Sequence, residues 1–193
     1  MGISKSNRLE LLMLGIDPGL QCTGWGIVMQ SGSHLSHIAH GTIKTQTSWP
    51  AAERLNKIHS GLIEVIVNWH PNNACIEQIF VAKGAGSAIK LGMARGVAMQ
   101  ACAGKGLALR EISARQAKKS VTGTGAADKV QVASMVEKLL SVKPEGPDSA
   151  DALAIAIAGI NKGPEYRSDV INSEATTGLT LAIEAALAKQ QRR

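Results

Sequence analysis

Leu11 to Asp17 is a continuous apolar run that stops at Asp17-Pro18-Gly19, and it limits the fold more than any other stretch. Apolar residues without periodic polar relief mark a buried strand, and Pro-Gly ends it in a turn. Gly24-Trp25-Gly26-Ile27-Val28 resumes as a second strand after a short connection. Ile38 to Thr45, with alternating apolar positions, makes a third. Three strands joined by short turns predict an antiparallel meander. The period then changes: Leu55, Ile58, Leu62, Val65, Ile66 and Trp69 repeat at helical spacing, and His70-Pro71 closes the segment.

Beyond that point strands and helices alternate. Asn73 to Ile79 reads as a short strand, Gly86 to Ala103 as a helix rich in small residues, and Leu107 to Ile112 as a further strand. Ser113 is placed to cap a short helix. Asp128 to Leu140 is helical, and Lys143-Pro144-Glu145-Gly146-Pro147 breaks it before a last helix from Asp148 to about Ile160. Strands alternating with helices after a meander predict an α/β sheet covered by helices. Gly92 and Gly96 each cost roughly 1 kcal/mol relative to Ala inside their helix. That cost calls for a backbone close by, either the sheet or a second copy of the chain.

With 193 residues the chain suits one domain. Residues 1–10 read as a flexible N-terminal extension and 11–160 as the domain. The polar remainder, 161–193, reads as a variable C-terminal tail with a short helix, where Leu179, Ile183 and Leu187 stand four apart. Aromatics are only 3%, so Ala, Val, Ile, Leu and Met must build the core.

Net charge is +6, but its distribution says more. From Lys83 to Lys143 eleven Lys and Arg face three acids, Glu111, Asp128 and Glu137. Such a stretch is either a solvated basic surface or one that faces phosphates. Cys22, Cys75 and Cys102 form no Cys-x-x-Cys pair, which fits reduced, buried thiols in a cytoplasmic protein rather than disulfides or a zinc site. The longest apolar run, Ala150 to Ile160, is too short to cross a bilayer.

Four acids carry the candidate chemistry. Asp17, at the carboxyl end of a buried strand, stands where ligand sites form in open α/β sheets, though Asp before Pro-Gly is also ordinary turn chemistry. Glu77 lies in a strand with little polar relief. It is paired, protonated or metal-bound there, or it alternates onto a solvated face. Asp148 and Asp151 project from one face at the head of an apolar helix, where they serve as ligands or as N-cap and first-turn acid. Oxygen-only ligands suit Mg²⁺, with Mn²⁺ able to substitute. Two such ions about 4 Å apart are a standard solution for phosphodiester hydrolysis.

Leu14-Gly-Ile-Asp-Pro-Gly19, followed by Thr23-Gly-Trp-Gly26, resembles the opening of the RuvC family of Holliday junction resolvases. Ile76-Glu-Gln-Ile-Phe-Val-Ala-Lys83, Ala88-Ile-Lys-Leu-Gly-Met-Ala-Arg-Gly96, Ala114-Arg-Gln-Ala-Lys118, Gly123-Thr-Gly-Ala-Ala-Asp-Lys129 and Asp148-Ser-Ala-Asp-Ala-Leu-Ala-Ile-Ala156 continue it in family order. The resemblance implies an RNase H-like fold, a mixed five-stranded sheet flanked by helices. It also implies a homodimer that nicks two strands of four-way junction DNA, with two Mg²⁺ ions in each active site. The family's metal-binding catalytic acids match Asp17, Glu77, Asp148 and Asp151. Phe80 matches an aromatic that stacks on an unpaired base. Lys118 and Lys129 match basic positions near the scissile phosphate, and Lys83, Arg115 and Lys119 are further candidates for backbone contact. The small-residue helix fits the family's dimer interface, and partnership with the RuvA and RuvB branch-migration proteins is implied by family. Leu20 and Trp25 depart from the usual residues beside the first motif.

Other readings remain. Gly-Ile-Asp-x-Gly also opens the phosphate loop of actin-like ATPases, which are longer and carry a second such loop. A related RNase H-like nuclease acting on RNA is shorter and lacks the Ile76–Phe80 stretch. A junction-binding protein that does not cut would be expected to have lost an acid.

Overall fold

The computed structural model describes residues 10–79 and 85–162. β1 (Leu11–Asp17), β2 (Cys22–Ser31) and β3 (His34–Lys44) form the expected antiparallel meander. After α1 (Ala51–Trp69) come β4 (Asn73–Glu77), α2 (Ala85–Gly104), β5 (Ala108–Ile112), α3 (Ala114–Thr122), α4 (Lys129–Leu140) and α5 (Pro147–Asn161). The sheet order is β3-β2-β1-β4-β5, with β4 parallel to β1 and β5 parallel to β4. The result is a mixed five-stranded sheet flanked by helices. β3 starts at His34 rather than Ile38, because its polar first half pairs with β2 by backbone alone and shows no apolar alternation.

Strand alternation sorts the core into two layers. Leu14 and Ile16 of β1 bury against Ile58 and Leu62 of α1 and Ala94 and Ala98 of α2. Met13 packs on the opposite face with Val121, Val136, Leu153 and Ile157 from α3, α4 and α5. Each such buried side chain contributes about 1.5–3 kcal/mol. The period of two then sends Gly15 and Asp17 the same way as Met13, toward α5.

Glycine lets α5 lie directly on the sheet. A Cβ at Gly15 would land on the Ala152 carbonyl oxygen, and one at Gly24 on the carbonyl of Asp148. Gly24 pairs with Asp17 across β1 and β2. The first turn of α5 is therefore held over the end of β1.

Two expectations need correction. Asp148 is not the N-cap of α5: Gly146 holds that position with Pro147 after it. The Ser149 hydroxyl accepts from the Gly146 N–H at 3.2 Å and donates to the Gly146 carbonyl at 3.0 Å. Proline fits the first helical position because it has no N–H to satisfy there. Nor does the chain's own sheet approach the glycines of α2: a Cβ at Gly92 or Gly96 would meet nothing within 4 Å. Ser113 caps α3 as expected, in a capping box with Gln116.

The described residues fall within one compact unit, Met1–Gly163. The N-terminal extension 1–9 and the tail helix around Leu179 to Leu187 lie outside the described residues.

Candidate active site

The two central strands deliver the first two acids. Ile16 of β1 stands beside Ile76 of β4 in parallel register, so Asp17 and Glu77 follow at one level at their carboxyl ends. Their side chains share a hydrogen bond. Glu77 is half-buried, and among the described residues no arginine pairs with its carboxylate. Arg95 of α2 instead donates from Nε to the Glu77 backbone carbonyl at 3.1 Å and binds Glu111 at 2.8 Å. That contact anchors the strand end while the carboxylate faces the other way.

α5 delivers the other two. Asp148 and Asp151 lie in its first turns, over Gly24 and beside Asp17, and the charges of both act on Asp17. Burial, reinforced by Glu77, Asp151 and Asp148, pushes the Asp17 carboxyl up to about 8. Burial also raises Glu77 and Asp151, offset in part by neighbouring groups, including the charges of Lys129 and Lys118.

Two cations stand at this cluster. Lys129, the first residue of α4, places Nζ 3.4 Å from Asp151 Oδ2, and the Asp151 charge raises the lysine above its ordinary value. The Asp128 capping box with Gln131 fixes that helix start. Lys118 of α3 acts on Glu77 and Asp151 through its charge. Arg115 and Lys119 line a separate surface groove with Gln116, Gly123, Thr124 and Gly125. Phe80 and Lys83 lie outside the described residues.

Sequence reasoning missed several contributors. Cys22 is only partly buried and stands near Asp148, and burial together with that carboxylate pushes its thiol up to about 11. Thr23, fully buried, donates to the Gly19 carbonyl at 2.8 Å and ties the turn after Asp17. Thr45 donates to the Leu20 carbonyl at 2.6 Å and accepts from Arg54 Nε at 2.9 Å. The placement of Cys22 and Thr23 just before Gly24 was the available signal, since Gly24 faces Asp17.

Four carboxylates in one half-buried corner need neutralising. Among the described residues no three acidic, histidine or cysteine side chains are already gathered as an ion cage. Two of the acids lean on each other, Asp17 and Glu77, and Asp151 holds Lys129. The donor set is nonetheless all oxygen around a common point of negative charge, which fits hard divalent cations. A cation would displace the lysine rather than enter a preformed cavity.

The family profile described as crossover junction endodeoxyribonuclease RuvC matches residues 13–159. The chain is similar to crossover junction endodeoxyribonuclease RuvC of Erythrobacter litoralis, with 46% identity over 151 residues, covering 78% of this chain and 93% of that protein. Its counterpart from Maricaulis maris is 50% identical over 149 residues, covering 77% and 90%. Among solved structures, that of Thermus thermophilus RuvC in complex with Holliday junction substrate superimposes with a TM-score of 0.72 at 32% identity, covering 77% of this chain and 92% of that one.

Proposed function

Because the chain belongs to the RuvC family of crossover junction endodeoxyribonucleases, we propose that it resolves four-way DNA junctions by hydrolysis at the corner formed by Asp17, Glu77, Asp148 and Asp151. The observation that carries this reading is the convergence of those acids on one end of the sheet, with the Asp17 carboxyl driven up to about 8.

These residues would hold Mg²⁺, or Mn²⁺ in its place, as a pair of ions in each active site. Such ions generate hydroxide from water and stabilise the leaving oxygen in phosphodiester hydrolysis. Asp17 and Glu77, on rigid strand ends, fix one side of the site. Asp148 and Asp151 close it from α5, with Ser149 capping the helix so that neither carboxylate is needed for the cap.

Lys118 and Lys129 neutralise the scissile phosphate as it approaches the acids. Lys129 is held by Asp151 until then. Lys83, Arg115 and Lys119 contact the backbone further out, where contacts position the nucleic acid without reading sequence. Phe80 stacks on an unpaired base at the crossover.

The active unit is a homodimer, so that paired cuts are made. The exposed face of α2 supports this. Ile89 is 63% and Met93 38% exposed, and the glycines beside them have open space. Residues 11–160 form the nuclease domain, and 1–10 and 161–193 are additions to it. Among the described residues no helix is long and apolar enough to cross a membrane, in keeping with work on chromosomal DNA in the cytoplasm alongside RuvA and RuvB.

The test is a synthetic four-way junction incubated with protein and Mg²⁺. Symmetric nicks that vanish in Asp17→Asn, with binding retained, support the resolvase. Binding without cleavage by the unaltered protein, in Mg²⁺ and in Mn²⁺, overturns it.

A further inference from the structure

Two cations stand near the end of the sheet that carries the acids, Lys44 on their face and Arg54 on the helix that covers the opposite face. Lys44 ends β3, and Arg54 lies in the first turns of α1. They flank Thr45, the residue that ties down the loop after Asp17.

Register places Lys44 on the acids' side of the sheet. Asp17 pairs with Gly24, Gly24 with Thr42, and Cys22 with Lys44. Paired residues share a face, and so do residues two apart along a strand. Lys44 therefore stands on the same face as Asp17, one step further toward the open end. It is exposed, and its charge reaches the Cys22 thiol, which also feels Asp148. Among the described residues it has no carboxylate partner.

Arg54 is held differently. Its Nε donates to Thr45 Oγ1 at 2.9 Å, and that hydroxyl donates to Leu20 at 2.6 Å. The guanidinium plane is thereby fixed against the loop. Among the described residues its four Nη hydrogens have no partner. A purely structural role for Arg54 explains one donor of the five and leaves the fork unused.

The position fits a nucleic acid strand crossing the corner. Neighbouring strands of a sheet are about 4.8 Å apart, which puts β3 roughly 10 Å from β1. With one phosphate per 3.4 Å of rise along a strand, this is on the order of three nucleotides. Lys118 and Lys129 serve the α3 and α4 side of the acids, whereas the β3 side has Lys44 and Arg54 alone among the groups described above.

We propose that Lys44 and Arg54 form a second phosphate clamp, gripping the backbone of the cleaved strand a few nucleotides from the scissile phosphate on the β3 side. It rests on the reading of the chain as a junction nuclease. Lys44 supplies a mobile point charge and Arg54 a fixed fork, with Thr45 coupling the fork to the loop that follows Asp17.

The experiment measures binding of a four-way junction across a salt series, in full-length Asp17→Asn protein so that no cleavage intervenes. Each lost phosphate contact lowers the slope of log affinity against log salt by about 0.9. Lys44→Gln and Arg54→Gln should each lower it by that amount, and the double variant by about twice as much. Lys44 is exposed, so its replacement leaves the fold intact; Arg54→Lys, which keeps the charge, should restore most of the slope. An unchanged slope in Lys44→Gln overturns the clamp while leaving the nuclease reading in place. Failure of the Asp17→Asn parent to bind junctions at all overturns both.

Discussion

Asp17 and Glu77 end adjacent parallel strands at one level in a half-buried corner of the sheet, where burial and each other's proximity push the Asp17 carboxyl up to about 8. Replacing Asp17 by Asn keeps the shape and removes the charge that would bind a cation. Altering even the outer-shell partners of metal ligands typically costs 10–100-fold, so loss of a ligand should cost at least about a hundredfold in cleavage rate. Junction affinity should hold or rise, since a negative charge near the backbone is gone. Single-turnover cleavage beside a gel-shift titration separates the two. A variant that cuts at the parental rate rules out Asp17 as a ligand.

The same carboxyl makes stability depend on pH. Burial and the neighbouring acids push the Asp17 carboxyl from its ordinary 3.8 up to about 8 in the folded chain. Between those values the folded chain binds a proton that the unfolded chain lacks, so stability falls as pH rises through the window. In chelator, the melting temperature of the unaltered protein should therefore decline from about pH 4 to 8. Asp17→Asn should flatten that decline and melt higher at pH 8, with each kcal/mol worth about 2–4 °C for a chain of this size. Adding Mg²⁺ at pH 8 should raise the unaltered protein and leave the variant nearly unmoved. Thermal melts at several pH values decide it; a stability that rises over this range contradicts the raised carboxyl.

The meander, the helix at Leu55 to Trp69 and the two acids at strand ends were legible because their signals are local: an apolar run, a period of 3.6, a breaker. The start of β3 was not, since His34 to His37 are held by pairing rather than by an apolar face. Asp148 looked like a cap because Asp is a favoured N-cap residue and Asp151 follows in the first turn, and only geometry shows that Gly146 holds that position with Ser149 turned back on it. The roles of Cys22, Thr45 and Arg54 depend on register between strands and on a helix reaching a distant loop. No window of sequence contains those partners together.

Gly15 is predicted to be irreplaceable for a packing reason. A Cβ there would collide with the Ala152 carbonyl, the backbone that carries Asp151 immediately before it. Gly15→Ala should cost about 1–3 kcal/mol as overpacking. Because α5 must move away from β1, cleavage should fall as well, even after correction for unfolded protein. Gly32→Ala is the control, as its Cβ would meet nothing, though its positive φ of 65° makes it slightly strained. Chemical denaturation and cleavage assays on both variants would show whether the loss of activity follows the displaced helix or merely reduced stability.

Ser149 and Asp148 sit side by side in the first turn of α5, yet their replacements should fail in different ways. Ser149 is fully buried, and both its hydrogen bonds go to Gly146. An intramolecular hydrogen bond contributes about 0.5–1.5 kcal/mol net. Ser149→Ala should therefore lower the melting temperature while the folded fraction still cuts junctions within a few-fold of the parent. Asp148→Asn should do the reverse: Gly146 and Ser149 keep the helix start, and the melting temperature holds. Cleavage should drop to background at any Mg²⁺ concentration that sustains the parent. Paired measurements of melting and of cleavage against Mg²⁺ distinguish the two residues, and an active Asp148→Asn would return that side chain to a structural role.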